Sequence, residues 1–172
     1  MNSTVRNSRS RAVADLAAGE ILASVEVAAP PERVFHALAS HEIVTWWVGE
    51  GSVAFRTTEW TGDVRVGGRW RASGVVDDVT PFALDGEFLD IDPPRKLVHT
   101  YGPAGAPGTP TTVTYLLEPI DDGTRMTLRH VGFTSREACI GTYLGWETLF
   151  ERLAERMARP ERGDDSGATP RR

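Results

Sequence analysis

The chain has 172 residues, 40% of them hydrophobic and 25% charged, a composition that suits one ordinary globular domain and excludes a disordered polymer. A formal charge of −5 argues against nucleic acid, whose phosphates call for a concentrated excess of Lys and Arg on one face. Lys96 is the only lysine and Cys139 the only cysteine, so a Schiff-base or phosphate-loop lysine has one poor candidate and no intramolecular disulfide can form. A reducing, cytoplasmic setting is the expectation.

Residues 1–19 carry Arg6, Arg9 and Arg11 among serines, with no apolar run of signal-peptide length and no membrane span after them. They are expected to form a flexible leader, frayed or weakly helical. Ile21, Ala23, Val25 and Val27 then alternate with Leu22, Ser24 and Glu26, the period of a half-buried strand. Pro30-Pro31-Glu32 opens a helix, because proline is tolerated in a first turn and Glu32 suits the positive end of the dipole; Val34, Phe35 and Leu38 supply its inward stripe. A second short helix is expected from His41 to Val48, ending at Gly49-Glu50-Gly51.

From Val53 to Tyr101 the texture turns β-branched and aromatic, punctuated by Thr61-Gly62-Asp63, Gly67-Gly68, Val76-Asp77-Asp78 and Asp92-Pro93-Pro94. These read as antiparallel strands joined by turns. Gly102 to Pro110 holds three prolines and three glycines, which predicts an open loop able to form one rim of a cavity. Two more strands, Thr112 to Glu118 and Thr124 to Val131, flank the hairpin turn Asp121-Asp122-Gly123. Thr134 offers a hydroxyl cap with Glu137 three residues on, and a helix should run from there to about Ala158. Its steps at Cys139, Tyr143, Trp146, Phe150, Leu153 and Met157 share one face, which must meet the sheet, while Arg152, Glu155, Arg156 and Arg159 mostly point to solvent. Residues 159–172 have nothing to bury and read as a disordered tail, leaving residues 20–158 as the folded domain.

The fold class expected is α+β, with a curved antiparallel sheet of about six to seven strands wrapped around the long C-terminal helix and two short helices after strand one. That order resembles the helix-grip fold of the START-like (SRPBCC) superfamily, which includes the birch-pollen-allergen proteins and aromatic polyketide cyclases. The strings Pro31-Glu32-Arg33-Val34-Phe35, Trp46-Trp47, Val66-Gly67-Gly68-Arg69-Trp70, Gly86 to Leu97, His130-Val131-Gly132-Phe133 and Gly145-Trp146 look like one subgroup, the family named for activators of the ATPase of the ninety-kilodalton heat-shock protein. The resemblance spans roughly Glu20 to Ala158. It implies a superfold whose members bind lipids, hormones and polyketides, catalyse cyclisations, or act on a chaperone.

Trp46, Trp47, Trp70 and Trp146 either fill the core or line a wedge between sheet and helix where flat ligands stack. Trp60, beside a turn, is expected at the surface or an interface. His99 and His130 share the inward parity of their strands with Leu97, Tyr101, Met126 and Leu128, so each is either a satisfied structural imidazole or, near Tyr115 or Tyr143, a group that orients a carbonyl or moves a proton. His36 and His41 look like helix-surface residues. Two strand histidines and a distant Cys139 fall short of a metal site, and His41-Glu42 fails as a zinc-protease motif because Thr45 stands where the second histidine belongs. Gly67-Gly68 runs into strand residues rather than a helix, which opposes a dinucleotide loop. Gly141 and Gly145, one turn apart on the long helix, serve close packing or leave cavity room.

The leading expectation is a binding module without catalytic machinery or cofactor, taking a small apolar or aromatic molecule between the long helix, the Gly102–Pro110 loop and the Trp46-Trp47 segment. The residues named for that pocket are Trp46, Trp47, Trp70, His99, Tyr115, His130, Tyr143 and Trp146. The alternatives are a cyclase or small hydrolase using His130 or His99, and a co-chaperone with a heat-shock ATPase as partner. A homodimer through exposed strand edges is a further expectation.

Overall fold

The computed structural model describes residues 10–49 and 54–159, and all structural statements refer to these. Nine antiparallel strands form one open sheet: β1 Arg11–Asp15, β2 Glu20–Val27, β3 Val48–Gly49, β4 Phe55–Gly62, β5 Arg69–Val76, β6 Thr80–Asp92, β7 Lys96–Pro103, β8 Thr111–Ile120 and β9 Gly123–Val131. The spatial order is β1-β2-β9-β8-β7-β6-β5-β4-β3, so every neighbour is sequential except β2 beside β9. Helix α1, Pro31–Leu38, and a 3₁₀ turn, His41–Thr45, follow β2, and α2, Arg136–Ala158, closes the fold. This is the helix-grip arrangement, with two or three more strands than the sequence led us to expect.

One extra strand comes from the leader. Arg11–Asp15, expected to be frayed, pairs along its whole length with β2, from Arg11 opposite Ser24 to Asp15 opposite Glu20. The buried Ser10 hydroxyl donates to the Glu147 carbonyl at 2.7 Å and so ties this edge to the middle of α2. Residues 1–9, the rest of the leader, and 160–172, nearly all of the expected tail, lie outside the described residues, as do Glu50 and Gly51 of the turn expected after the second short helix.

The alternation read for β2 holds: Ile21, Ala23, Val25 and Val27 are buried. The same parity buries Val113, Tyr115 and Leu117 on β8 and Thr124, Met126, Leu128 and His130 on β9. Against this face α2 lays Cys139, Trp146, Leu149, Phe150, Leu153, Ala154 and Met157. Its N-cap is Ser135, whose hydroxyl accepts from the Ala138 amide at 3.2 Å, one residue later than the expected Thr134. The Asp121-Asp122-Gly123 hairpin forms as expected between β8 and β9.

Trp60 is a correction: it is buried, not superficial. Strict alternation would put it on the face opposite Thr57, three residues away. A bulge between Thr57 and Glu59 inserts one residue into the ladder and brings both inside. Away from the cavity, Glu42 of the 3₁₀ turn clamps three elements together. It accepts two bonds of 2.7 Å from the Arg33 guanidinium of α1 and one of 3.3 Å from Arg156 near the end of α2. These cations hold its carboxyl below the ordinary value against the opposing effect of burial.

Candidate functional site

Helix α2 packs chiefly against β2 and β1. On the other side a wedge remains between its N-terminal half and the strands β4 to β7. The wedge is a cavity of about 270 Å³ lined by Phe55 and Thr57 of β4, Val76 of β5, Phe82 and Leu84 of β6, Tyr101 of β7, Trp47, and Gly141, Thr142, Gly145, Trp146 and Leu149 of α2. Two positions one turn apart on the helix, Gly141 and Gly145, present no side chain to the wedge. A Cβ built on Gly141 or on Gly145 would meet nothing within 4 Å, so these glycines leave cavity room instead of serving close packing.

A second, larger cavity of about 800 Å³ adjoins the first, sharing Leu84, Tyr101, Gly141 and Thr142. Its walls include the loop from Gly102 to Pro110, the start of α2, and the polar side chains Arg69, Asp85 and Glu87. The predicted rim therefore exists, as the outer chamber before an apolar inner one.

Of the eight residues named from sequence, Trp47 and Trp146 line the inner cavity. Trp46, Trp70, His99, Tyr115 and His130 do not; they are buried behind it, in a cluster of edge-to-face rings. Trp70 and His99 border only a void of about 10 Å³, at the lower limit for a single water. Tyr143 sits half-buried on α2 and lines none of these spaces. The sequence reading missed Phe55, Thr57, Val76, Phe82, Leu84 and Leu149, because alternation shows which side chains face inward but not which strands lie over the glycine stretch of the helix.

The two histidines are held as neutral rings. Trp146 Nε1 donates to His130 Nδ1 at 3.0 Å, so the ring proton sits on Nε2, which donates to Thr111 Oγ1 at 2.6 Å; that hydroxyl in turn donates to the Tyr101 carbonyl at 2.8 Å. Burial, reinforced by the neighbouring His99, pushes the His130 pKa down to about 3. His99 donates from Nδ1 to the Thr100 carbonyl at 2.8 Å, and burial lowers its pKa to about 4. His130 thus has no free lone pair with which to take a proton from a substrate.

The remaining electrostatics are those of an uncharged site. Among the described residues Tyr101 is the only ionisable one on the inner wall, and burial raises its phenol to about 12, so it is neutral. Trp46 Nε1 donates to the Ala37 carbonyl at 2.9 Å and Trp70 Nε1 to the Thr100 carbonyl at 3.1 Å. Trp47 and Thr57 line the cavity, but Trp47 Nε1 and Thr57 Oγ1 are themselves buried and have no protein partner. Among the described residues no group of three or more His, Cys, Asp or Glu converges, and no helix is long and apolar enough to cross a membrane.

Comparison with known proteins places this architecture. No curated protein matches the chain. Among solved structures, a protein from Chromobacterium violaceum superposes with a TM-score of 0.71 at 22% identity, over 83% of this chain and 99% of its own. One from Mycobacterium smegmatis gives 0.70 at 23% identity, over 87% and 97%. The AHSA1 protein from Silicibacter pomeroyi gives 0.68 at 23%, over 81% and 97%. At such identities the likeness establishes the fold, which is that of the START-like proteins. The family model described as "Activator of Hsp90 ATPase homolog 1-like protein" matches residues 28–158, and the chain belongs to that family.

Proposed function

We propose that the protein binds a small, largely apolar molecule in the wedge between α2 and strands β4 to β7, reached through the polar outer chamber beside the Gly102–Pro110 loop. The observation that carries this reading is the inner cavity of about 270 Å³, walled by aromatic and aliphatic side chains and kept open by Gly141 and Gly145. An engineered cavity of about 150 Å³ lined by Leu, Ile and Phe takes up benzene. The space here suits a two-ring body.

Binding is favoured over proton-transfer catalysis because both nitrogens of His130 are occupied within the protein and neither histidine lines the cavity. The test is a thermal-shift and calorimetric titration with neutral two-ring compounds. Saturable binding is expected, with stabilisation of about 2.7 kcal/mol when the free ligand stands at a hundred times its Kd. Gly145→Leu, whose side chain would enter the wedge, should abolish it. Undiminished binding to Gly145→Leu would put the ligand elsewhere, and no saturable binding at all would sink the proposal.

A further inference from the structure

Strand β1 ends the sheet. It pairs with β2 along one edge without a bulge, and among the described residues no strand pairs with its other edge. A free edge presents unpaired N–H and C=O groups, and soluble proteins usually blunt one with proline, lysine or a bulge. β1 has none of these. It is also held in place: Ser10 ties its start to the Glu147 carbonyl, and at its end the Asp15 carboxylate accepts from the Ala17 and Ala18 amides at 3.0 Å each.

The strand reads Arg11-Ala12-Val13-Ala14-Asp15, and it complements itself when a second copy runs antiparallel about Val13. That register sets Arg11 opposite Asp15 of the second copy, Ala12 opposite Ala14, and Val13 opposite Val13. Residues 11, 13 and 15 face outward, while Ala12 and Ala14 pack towards the core. On the outer face Val13 is 63% exposed and lies opposite Leu22, itself 44% exposed. The join therefore makes one apolar row of four side chains, with an Arg11–Asp15 pair on either side of it. The charges favour it. Asp15 stands opposite Glu20, whose cation, Arg129, is already engaged at 2.6 Å, and Arg11 has no acidic partner among the described residues.

The inner face agrees. Leu144 and Ile140 lie three and seven residues before Glu147 and are exposed on the flank of α2 beside this edge. β1 runs from Glu147 back towards Cys139, whose thiol is pushed up by burial and then by nearby Asp15, so Val13 falls level with residues 140–144. We infer that the chain self-associates as a two-fold dimer through β1, the two sheets joining antiparallel with Val13 on the axis and the two α2 flanks side by side on the inner face.

The test follows the full chain by sedimentation equilibrium from about 1 μM to about 0.5 mM. Five residues a side with two helix flanks make a small interface, so a Kd of about 10–100 μM is expected. Val13→Lys sets two lysines against each other on the axis; it should weaken association at least tenfold and leave the melting temperature unchanged, because Val13 is exposed. Cysteine cross-linking reads the register. Residues opposed across the axis have Cα atoms about 4.5–5.5 Å apart, within reach of a disulfide, whereas the two copies of Arg11 would lie about 14 Å apart. Because Cys139 is buried, Val13→Cys should give a covalent dimer under mild oxidation and Arg11→Cys should not. A chain that stays monomeric to about 0.5 mM would overturn the inference; slow hydrogen exchange at the β1 edge in that monomer would assign the edge to another segment of the same chain. A dimer that survives Val13→Lys, or cross-linking as ready in Arg11→Cys as in Val13→Cys, would put the interface elsewhere and overturn it equally.

Discussion

The same substitution, glycine to alanine, should have opposite signs at two places in this fold, and the contrast tests how the wedge is built. On α2, Gly141 and Gly145 lie inside a 23-residue helix, where glycine costs about 1 kcal/mol relative to alanine through backbone entropy. Because a methyl at either position meets nothing within 4 Å, no steric penalty offsets that gain. The double variant Gly141→Ala/Gly145→Ala should therefore be more stable by about 2 kcal/mol, with the melting temperature raised by roughly 4–8 °C for a domain of this size. Both methyls intrude on the cavity, so affinity for two-ring probes should fall as stability rises. On β6, Gly86 is the reverse case: a Cβ there would sit 1.9 Å from the Thr100 carbonyl oxygen and 2.5 Å from Trp70 Nε1, the two partners of a hydrogen bond that crosses over it. Gly86→Ala should cost about 1–3 kcal/mol or more, since backbone must move. Thermal unfolding followed by circular dichroism reads both. A fall in melting temperature for the α2 double variant would refute the claim that those glycines are there to leave space.

Two other perturbations follow from the buried charges. His99 and His130 stay neutral in the fold, with pKa values near 4 and 3, but regain the ordinary value of 6.5 when unfolded. Below about pH 6.5 the unfolded chain binds more protons than the native one, so stability falls with falling pH; at pH 5 the loss should be about 2 kcal/mol per histidine. Urea midpoints at pH 7 and pH 5 measure it, and a flat profile would contradict the neutral-ring assignment. Glu42→Gln weakens the charge-assisted bonds from Arg33 and Arg156 and should cost about 1–3 kcal/mol at pH 7. Because the Glu42 carboxyl is held below its ordinary value of 4.5, the stability it contributes is present above that value and is lost as pH drops further. The Gln variant should therefore differ from wild type at pH 7 and converge with it in acid, as chemical denaturation would show.

Much of the fold was legible because burial follows simple periods. Alternation marked β2, the acidic-glycine turn marked the last hairpin, and three- and four-residue steps marked the buried face of α2. The misreadings fall where a tertiary partner or a backbone irregularity overrides the period. Trp60 turns inward only because of the bulge before it. Arg11–Asp15 becomes a strand only because β2 offers its free edge, since Ala12 and Ala14 are too small to announce a buried face. Thr134 and Ser135 present equivalent hydroxyls, and which one caps the helix depends on the path of the chain from β9. For the site, aromatic residues were the visible signal, yet most of the named rings pack against one another and only Trp47 and Trp146 reach the cavity. What defines the space is the lack of side chain at Gly141 and Gly145, and the strands facing that gap are set by sheet order.

The pairing of β2 with β9 also has a temporal side. Glu20 and its partner Arg129 lie 109 residues apart, so the strand that starts early in the chain has its neighbour synthesised almost last. At ordinary translation rates β2 waits about 5–20 s for β9 to emerge, with Val25 and Val27 uncovered and β1 paired only to the stretch from Glu20 to Ser24. The β1–β2 hairpin protects one edge of β2 in that interval and leaves open the edge that β9 takes. Such long-range pairing also predicts slow refolding for a domain of this size, limited by the joining of the first hairpin to the last strand.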